Sequence, residues 1–318
     1  MKNIKLAIVG ATGLVGQTIL KVLEEKHLPI SQYTFFASSR SCGKKLNFLG
    51  KEYIVQELTS TSFDEGFDYA IFSAGGDVAK KFAPIAAQKG CIVIDNSSYF
   101  RMDATVPLIV PEVNPEEIAH HHGIIANPNC STIQAVVALK PLDTAFGIKR
   151  IVYSTYQAVS GGGYRGVADL ENGIKNYMKS KNSNSSNRDA ALYFNNYLPA
   201  DYPLEKFAYP IFNNCLPHID VFLENGYTKE EEKMINETRK ILKMPQLSIT
   251  ATAVRVPVFT GHSEAINVEF EKDFELENLK QILKGAPGII LKDDLENEIY
   301  PTTLDVTNEN CTFVRKSS

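Results

Sequence analysis

One cysteine of this sequence stands where a thiol could act as a nucleophile. Cys130 follows a short β-rich run, Ile124 to Ala126, and opens a predicted helix whose first residues include Ser and Thr. Unpaired backbone N–H groups and the positive end of a helix dipole favour a thiolate at such a position. The pattern therefore predicts a reactive thiol at Cys130, although many cysteines are only small buried apolar residues, as we interpret the others here.

Several charged or titratable side chains could serve a small, charged substrate. Arg255 lies in the apolar run Ala253 to Pro257, where a guanidinium needs a partner such as a carboxylate. Glu230 and Lys233 stand at i and i+3 of a predicted helix and share one face. His262 lies in a Gly-His-Ser-Glu turn and titrates near neutral pH. Each has a simpler interpretation. Arg255 could lie on the solvent-exposed face of a sheet, Glu230 and Lys233 could form a surface ion pair, and His262 could be a surface residue.

A glycine motif near the start of the chain predicts a nucleotide site. The run Lys5 to Val9 leads into a GATGLVG motif, after which a helical pattern begins. Glycines at a strand-to-helix turn let a pyrophosphate approach the backbone N–H groups of the helix N-terminus. The residues that we assign to this cofactor site are Gly10, Thr12, Gly13, Leu14, Val15 and Gly16. A plain turn that packs the helix is the alternative.

The end of the second predicted strand favours NADP over NAD. An NAD site carries an Asp or Glu about 20 residues after the glycines. Here the strand ends instead in hydroxyl groups and a guanidinium, which suit a 2′-phosphate: Ser38, Ser39, Arg40 and Ser41. A solvated strand end is the alternative. The glycine-rich end of another predicted strand, Ser73 to Gly76, adds Gly75 to the predicted site.

The predicted elements around these residues indicate the fold class. Up to about residue 130, short β-rich runs such as Thr34 to Ala37 alternate with helical stretches, which predicts a parallel sheet covered on both faces. From Ile151 the strands are longer and alternate more cleanly, as in Ser248 to Val258, which is typical of a sheet with one exposed face. We therefore predict an α/β protein with a doubly wound nucleotide domain and a second domain. The polar run Lys179 to Arg188 is predicted to be an exposed loop.

Composition excludes several classes of function. The chain has 318 residues, 44% of them hydrophobic, enough to bury the cores of two domains. A net charge of -4 gives no broad positive face, so nucleic-acid binding is not expected. No apolar run is long enough to span a membrane, and we expect a cytoplasmic protein. Scattered cysteines and the diverging side chains of His120 to His122 predict no metal site.

The chain resembles the aspartate-semialdehyde dehydrogenase family in motifs that cover most of its length. Seven motifs of this sequence follow the order that they have in that family. They are GATGLVG at 10–16, SSRS at 38–41, DNSSYFR at 95–101, NPNCST at 127–132, TYQAVSGGGYRG at 155–166, ENGYTKEEEKMINETRKIL at 224–242 and RVPVFTGHSEAINVEF at 255–270. The resemblance implies a Rossmann-type nucleotide domain over residues 1–131 and an α+β catalytic and dimerisation domain over 132–318. It also implies a homodimer formed through the sheet of the second domain.

The resemblance further implies a phosphorylating, NADP-dependent dehydrogenase. Members of the family interconvert aspartate 4-semialdehyde, inorganic phosphate and NADP+ with 4-aspartyl phosphate and NADPH, in the synthesis of lysine, threonine and methionine. By similarity, Cys130 would be the nucleophile and pass through a thioester. His262 would act as general acid and base, and Gln157 would orient the intermediate.

Binding roles follow from the same resemblance. Arg255 would bind the α-carboxylate of the substrate, and Glu230 its ammonium group. The residues similar to the phosphate site are Arg101, Lys233 and Asn129. Ser160 and Gly161 would contact the cofactor in addition to the glycine motif.

The sequence departs from the family pattern near residue 314. The family usually continues past a Val-Gly-Arg strand into a Trp-containing helix, whereas this sequence lacks the glycine after Val314 and contains no Trp. We expect weaker NADP binding and lower stability than with that helix, which would cover apolar surface worth about 25 cal/mol per Å². A truncated NADP-binding remnant with little activity is one alternative. Another is a related reductase of glutamate acyl phosphates, against which Glu230 favours a free-amine substrate.

Overall fold

The computed structural model describes residues 3–181, 203–307 and 309–315. The strands are β1 (Ile4–Val9), β2 (Ile30–Ala37), β3 (Lys45–Phe48), β4 (Lys51–Ile54), β5 (Gln56–Glu57), β6 (Tyr69–Phe72), β7 (Ile92–Asp95), β8 (Ile124–Ala126), β9 (Ile148–Gln157), β10 (Ser248–Arg255), β11 (Ser263–Phe270), β12 (Ile289–Leu291) and β13 (Thr312–Val314). The α-helices are α1 (Leu14–Lys26), α2 (Gly76–Gln88), α3 (Cys130–Phe146), α4 (Gly163–Lys181), α5 (Lys229–Leu242) and α6 (Leu276–Gly285). Short 3₁₀ helices cover Ser39–Ser41, Pro115–His120 and Val159–Gly162.

The larger sheet is a 6-stranded parallel sheet with the order β5-β2-β1-β6-β7-β8. Helix α1 follows β1 and helix α2 follows β6, so the chain is wound in both directions from the β1–β6 pair. Reversal of the strand order at such a pair opens a crevice at the carboxyl ends of the strands, where nucleotides bind. The predicted doubly wound sheet is confirmed, although β2 begins at Ile30 rather than at Thr34.

The smaller sheet has three strands in the order β10-β9-β11, with β10 parallel and β11 antiparallel to β9. Residues of β11 alternate strictly between exposed and partly buried, so one face packs on the core and the other is open. This agrees with the predicted sheet with one exposed face. Strand β10 ends at Arg255, earlier than the predicted end at Val258.

Helix α3 packs against the smaller sheet, and one hydrophobic cluster is continuous through both sheets. The cluster contains Val9 and Val93 from the larger sheet, Val136 from α3, Tyr153 from the smaller sheet and Met234 from α5. Because these elements share one core, residues at their ends are held in fixed positions relative to one another.

The predicted loop over Lys179 to Arg188 is wrong at its start, since helix α4 extends through Lys181. The helical periodicity of the preceding residues continues into the polar segment, so the helix ends later than polar composition alone predicted. The remainder of that predicted loop lies outside the described residues. Within the described ranges no helix is long and apolar enough to cross a membrane.

Candidate active site

Three strands of the smaller sheet bring polar residues to one edge. Gln157 ends β9 and Arg255 ends β10, and the two are register partners in the parallel pair. His262 directly precedes β11, whose first residue, Ser263, pairs with Tyr156 of β9. Since β11 begins at the edge where β9 and β10 end, the three predicted side chains are brought together.

The backbone of Ala158 connects two of these residues. Its carbonyl oxygen accepts a hydrogen bond from Nη1 of Arg255 at 2.6 Å, and its N–H donates to Nδ1 of His262 at 3.0 Å. A neutral His262 therefore carries its proton on Nε2. Burial, followed by the positive charge of Arg255, lowers the pKa of His262 to about 4, so the ring is neutral at pH 7.

The nucleophile candidate begins helix α3, as predicted. Asn129 caps the helix: its Oδ1 accepts hydrogen bonds from the N–H groups of Ser131 at 2.9 Å and Thr132 at 3.2 Å. Cys130 reaches solvent, yet burial among the surrounding groups, followed by the charge of Glu230, raises the pKa of its thiol. The predicted lowering of this pKa is therefore wrong, because the helix N-terminus does not outweigh these effects. The Cys130 side chain is therefore a neutral thiol at pH 7.

Glu230 is the centre of the hydrogen-bond network around Cys130. Its Oε1 accepts from Nδ2 of Asn129 at 2.8 Å and from Nε2 of Gln157 at 3.2 Å, and its Oε2 pairs with Nζ of Lys233 at 3.3 Å. The carboxylate of Asp220 also accepts from Lys233, at 2.8 Å. Burial alone would lower the pKa of Lys233, but Glu230 and Asp220 raise it. Lys233 therefore remains a cation.

Arg101 lies in the loop after β7 and is held by hydrogen bonds from three of its nitrogens. Nε donates to the carbonyl oxygen of Ser97 at 3.0 Å and Nη2 to that of Asn96 at 3.1 Å. Nη1 donates to Oε1 of Glu237 at 3.0 Å. A guanidinium has five N–H groups, so two remain for a ligand.

Sequence reasoning missed three charged residues near the predicted ones. Glu237 contacts Arg101, Asp220 contacts Lys233, and Glu264 is affected by the charge of Glu230. Glu237 follows Glu230 and Lys233 at helical spacing on α5, and this spacing is the signal that could have identified it. Asp220 lies in a loop and gives no comparable signal. Glu264 reads as an outward-facing strand residue in sequence, yet its carboxyl group accepts a hydrogen bond from Nε2 of Gln134 at 2.6 Å.

Most of the predicted cofactor residues follow the carboxyl ends of β1, β2 and β6, which are neighbours in the larger sheet. Gly10 has a φ of +90°, and a Cβ there would stand 2.3 Å from the carbonyl oxygen of Ser73, so only glycine fits this close approach. Thr12 Oγ1 donates to Ser41 Oγ at 3.4 Å, which joins the glycine motif to the end of β2. The remaining predicted residues lie at the start of α1, in or beside the 3₁₀ helix at 39–41, or at the N-cap of α2: Gly13, Leu14, Val15, Gly16, Ser38, Ser39, Arg40 and Gly75.

Ser160 and Gly161 lie in the 3₁₀ helix after β9. A Cβ on Gly161 would stand 2.8 Å from Nη1 of Arg255, so a larger residue would displace that guanidinium. Within the described residues, no group of His, Cys, Asp and Glu side chains is arranged to hold a metal ion.

The carboxyl group of Glu264 is expected to make the stability of the protein depend on pH. Burial, and to a lesser extent Glu230, raises the pKa of Glu264 from 4.5 to about 8, and its Oε2 has no hydrogen-bond partner. Its stabilising contribution is thus complete below pH 4.5 and lost as pH rises towards 8. We expect Glu264→Gln, which cannot ionise, to gain stability over wild type by up to about 1.4 kcal/mol per pH unit within this window.

Urea unfolding of both proteins at several pH values between 5 and 8 measures this difference. Glu269→Gln is the matched control, because Glu269 lies on the exposed face of the same strand and pairs only with Arg150 at the surface. A difference between Glu264→Gln and wild type that does not change with pH would contradict the prediction.

Comparisons with known proteins match both halves of the chain to semialdehyde dehydrogenases. Residues 5–121 match the family model "Semialdehyde dehydrogenase, NAD binding domain", and residues 139–315 match "Semialdehyde dehydrogenase, dimerisation domain". The aspartate-semialdehyde dehydrogenase of Aquifex aeolicus (strain VF5) is 49% identical over 312 residues, which are 98% of this chain and 86% of the relative. That of Bacillus subtilis (strain 168) is 46% identical over 316 residues, which are 98% of this chain and 87% of the relative.

Solved structures show the same similarity. Aspartate semialdehyde dehydrogenase II from Vibrio cholerae superposes with a TM-score of 0.85 at 42% identity, covering 99% of this chain and 88% of that one. A second structure of the Vibrio cholerae enzyme, complexed with ASA, gives a TM-score of 0.81 at 43% identity, covering 96% of this chain and 84% of that one.

Proposed function

Because this chain belongs to the aspartate-semialdehyde dehydrogenase family, we propose that it oxidises aspartate 4-semialdehyde with NADP+ and inorganic phosphate to 4-aspartyl phosphate, and catalyses the reverse reduction. One observation carries the proposal. Cys130 opens a helix beside an acid, Glu230, and a buried cation, Arg255, with a neutral His262 in the same cluster. These groups suit covalent capture of a small aldehyde that bears both an ammonium and a carboxylate group.

Recognition of the substrate is assigned to Arg255 and Glu230. The Nε of Arg255 is buried without a hydrogen-bond partner, which leaves a donor for the α-carboxylate. Glu230 supplies the negative charge for the ammonium group. Gln157 donates to Glu230 from the end of β9, and we assign its amide to orienting the group bound to Cys130.

The chemical step uses Cys130 and His262. The sulfur of Cys130 bonds to the aldehyde carbon to give a thiohemiacetal, and oxidation of that adduct gives a thioester. His262 moves the protons of the thiol and of the adduct hydroxyl group. While its Nδ1 accepts the N–H of Ala158, the neutral ring carries its proton on Nε2 and can only donate it. His262 can accept a proton once the hydrogen bond from Ala158 is released and the lone pair of Nδ1 becomes free.

Phosphate then cleaves the thioester. We assign the binding of phosphate to the cations near Cys130. Arg101 retains two N–H donors, and Lys233 is a cation held between Glu230 and Asp220. Asn129 uses its side-chain oxygen to cap α3, so only its side-chain NH₂ group, which also donates to Glu230, can donate to the phosphate.

The residues at the β1–β6 crevice fit a dinucleotide. Gly10 brings the backbone close to the neighbouring strand, and the first turn of α1 offers N–H donors for a pyrophosphate, with no side chain capping it. When bound, NADP+ supplies the hydride acceptor. The guanidinium of Arg40 and the hydroxyl groups of Ser38, Ser39 and Ser41 support the choice of NADP over NAD.

Arg40→Ala is expected to test this choice. Loss of one charge-assisted contact to a 2′-phosphate should raise the KM for NADP+ by about 10- to 100-fold and leave that for NAD+ within about threefold. Steady-state kinetics with both cofactors measures the split. Lys26→Ala, which removes an exposed cation from the opposite end of α1, should change neither value. Equal changes for the two cofactors would argue against a 2′-phosphate site.

We also propose that the division between the domains lies at residues 131 and 132 and that the protein works as a homodimer. The open face of the β10-β9-β11 sheet, on which Tyr156 is 46% exposed, supports pairing with a second copy. Analytical ultracentrifugation of wild type and Tyr156→Asp tests this surface.

The decisive experiment on function is an assay of phosphate-dependent NADP+ reduction by aspartate 4-semialdehyde. The reverse assay compares 4-aspartyl phosphate with the acyl phosphate of N-acetylglutamate as substrate for NADPH oxidation. We expect activity with the aspartyl compound alone, because an acetylated amine offers no positive charge to Glu230. Absence of both activities would favour a remnant that only binds NADP.

A further inference from the structure

A buried carboxylate outside all of the proposed roles joins two parts of the site. Glu237 lies on α5 and is only 1% exposed. Its Oε1 accepts from Nη1 of Arg101 at 3.0 Å, and its Oε2 accepts from the backbone N–H of Asn129 at 2.6 Å. One side chain thus holds both a cation of the phosphate site and the backbone adjoining Cys130.

Both contacts of Glu237 restrict groups that would otherwise be free to move. The N–H of an N-cap residue lies outside the hydrogen bonding of its helix, so the bond to Glu237 fixes the backbone that enters α3. The carbonyl oxygens of Ser97 and Asn96 fix the other nitrogens of Arg101, and Glu237 completes the set. The guanidinium is therefore oriented before any ligand arrives.

The same helix also holds the backbone of the Arg101 loop. Nζ of Lys240, one turn after Glu237, donates to the carbonyl oxygens of Arg101 at 2.7 Å, Asp103 at 2.7 Å and Val106 at 2.9 Å. Helix α5 thus holds Arg101 by its side chain and by its backbone.

We propose that Glu237 is a positioning residue that presents Arg101 to inorganic phosphate at a fixed distance from Cys130. The inference rests on the proposed function, since it takes Arg101 as a phosphate ligand. A phosphate oxygen must add to the face of the thioester carbonyl carbon, after which the sulfur of Cys130 leaves, and the two contacts of Glu237 hold Arg101 and the backbone beside Cys130 in the geometry for this attack.

Glu237→Gln tests the proposal with little change in shape. One carboxylate oxygen becomes an NH₂ group, which faces an N–H donor of either Arg101 or Asn129, so one of the two hydrogen bonds is lost. We expect the KM for phosphate to rise at least about tenfold and kcat to fall severalfold. The KM values for aspartate 4-semialdehyde and NADP+ should stay within about threefold of wild type, a split that general destabilisation would not produce.

Glu231→Gln is the matched control on the same helix. Glu231 is also buried and also holds two backbone groups, since its carboxylate accepts from the N–H of Thr228, the N-cap of α5, at 2.6 Å and from the N–H of Ala253 in β10 at 2.9 Å. Neither partner belongs to the proposed phosphate site. This variant should lower the melting temperature and leave the KM for phosphate unchanged.

A double-mutant cycle with Arg101→Lys completes the test. If Glu237 acts through Arg101, its substitution should raise the KM for phosphate much less in the Arg101→Lys background than in wild type. An unchanged KM for phosphate in Glu237→Gln, or full additivity with Arg101→Lys, would overturn the inference. If Glu237→Gln does not fold, Glu237→Asp, which keeps the charge but shortens the reach, should show the same selective rise. A wild-type protein without phosphate-dependent activity would instead overturn the proposed function.

Discussion

Replacing Cys130 by serine is expected to lower kcat for phosphate-dependent NADP+ reduction by at least about 10³-fold. Serine has nearly the same size, but its hydroxyl group holds its proton far more tightly than a thiol and is a weaker nucleophile towards the aldehyde. Burial and Glu230 already raise the pKa of the Cys130 thiol, so the site offers no strong assistance to a hydroxyl group. Steady-state assays with the semialdehyde measure the loss.

The controls separate chemistry from folding. Cys311→Ser changes a partly buried cysteine just before β13 and should retain wild-type kcat. Cys130→Ser should keep the melting temperature and the NADP affinity of wild type, because serine has nearly the same size and the Cys130 side chain reaches solvent. Substantial activity in Cys130→Ser would exclude the thioester route and, with it, the proposed mechanism.

Replacing His262 by asparagine is expected to lower kcat by about 10²- to 10⁴-fold, the usual range for losing a general acid and base. The oxygen of asparagine can still accept the N–H of Ala158, which keeps the local backbone in place. Wild-type His262 has a pKa lowered to about 4, so we expect kcat/KM to remain constant down to about pH 5 as far as this residue is concerned. Rate measurements between pH 5 and 8 test both expectations.

His121 provides the matched control for His262. Its Nδ1 likewise accepts a backbone N–H, that of Gly123 at 3.0 Å, but it lies near the surface and outside the site. His121→Asn should leave kcat unchanged. An acidic decline of kcat/KM near pH 6.5 that disappears in His262→Asn would show that the lowered pKa of His262 is wrong.

The sequence predicted the helices and strands near the site well, because the residues that start and end these elements lie within or beside them. The GATGLVG motif lies between β1 and α1, and Cys130 opens a helix, since glycines, capping residues and periodicity act within a few positions. The sequence placed Arg255 inside a longer predicted strand, and Gln157 was identified only through the family resemblance; the structure shows that both lie at strand ends. That they are register partners depends on the pairing of β9 with β10, which periodicity does not encode.

The electrostatics of the site could not be predicted in this way. The predicted thiolate at Cys130 took account of the helix N-terminus but not of Glu230, which arrives from α5, a hundred positions further along the chain. Glu237 and Glu264 look in sequence like solvated acids. Only the packing of α5 and α3 against the sheets shows that Glu237 is buried and bonded to Asn129, and that Glu264 is partly buried and bonded to Gln134 of α3.

Helix α5 holds the Arg101 loop at several points, and this limits how far the helix and the loop can move apart. Separating them would break the buried Arg101–Glu237 pair and would free the ammonium of Lys240 from three carbonyl groups. We therefore expect helix α5 and the Arg101 loop to move as one unit.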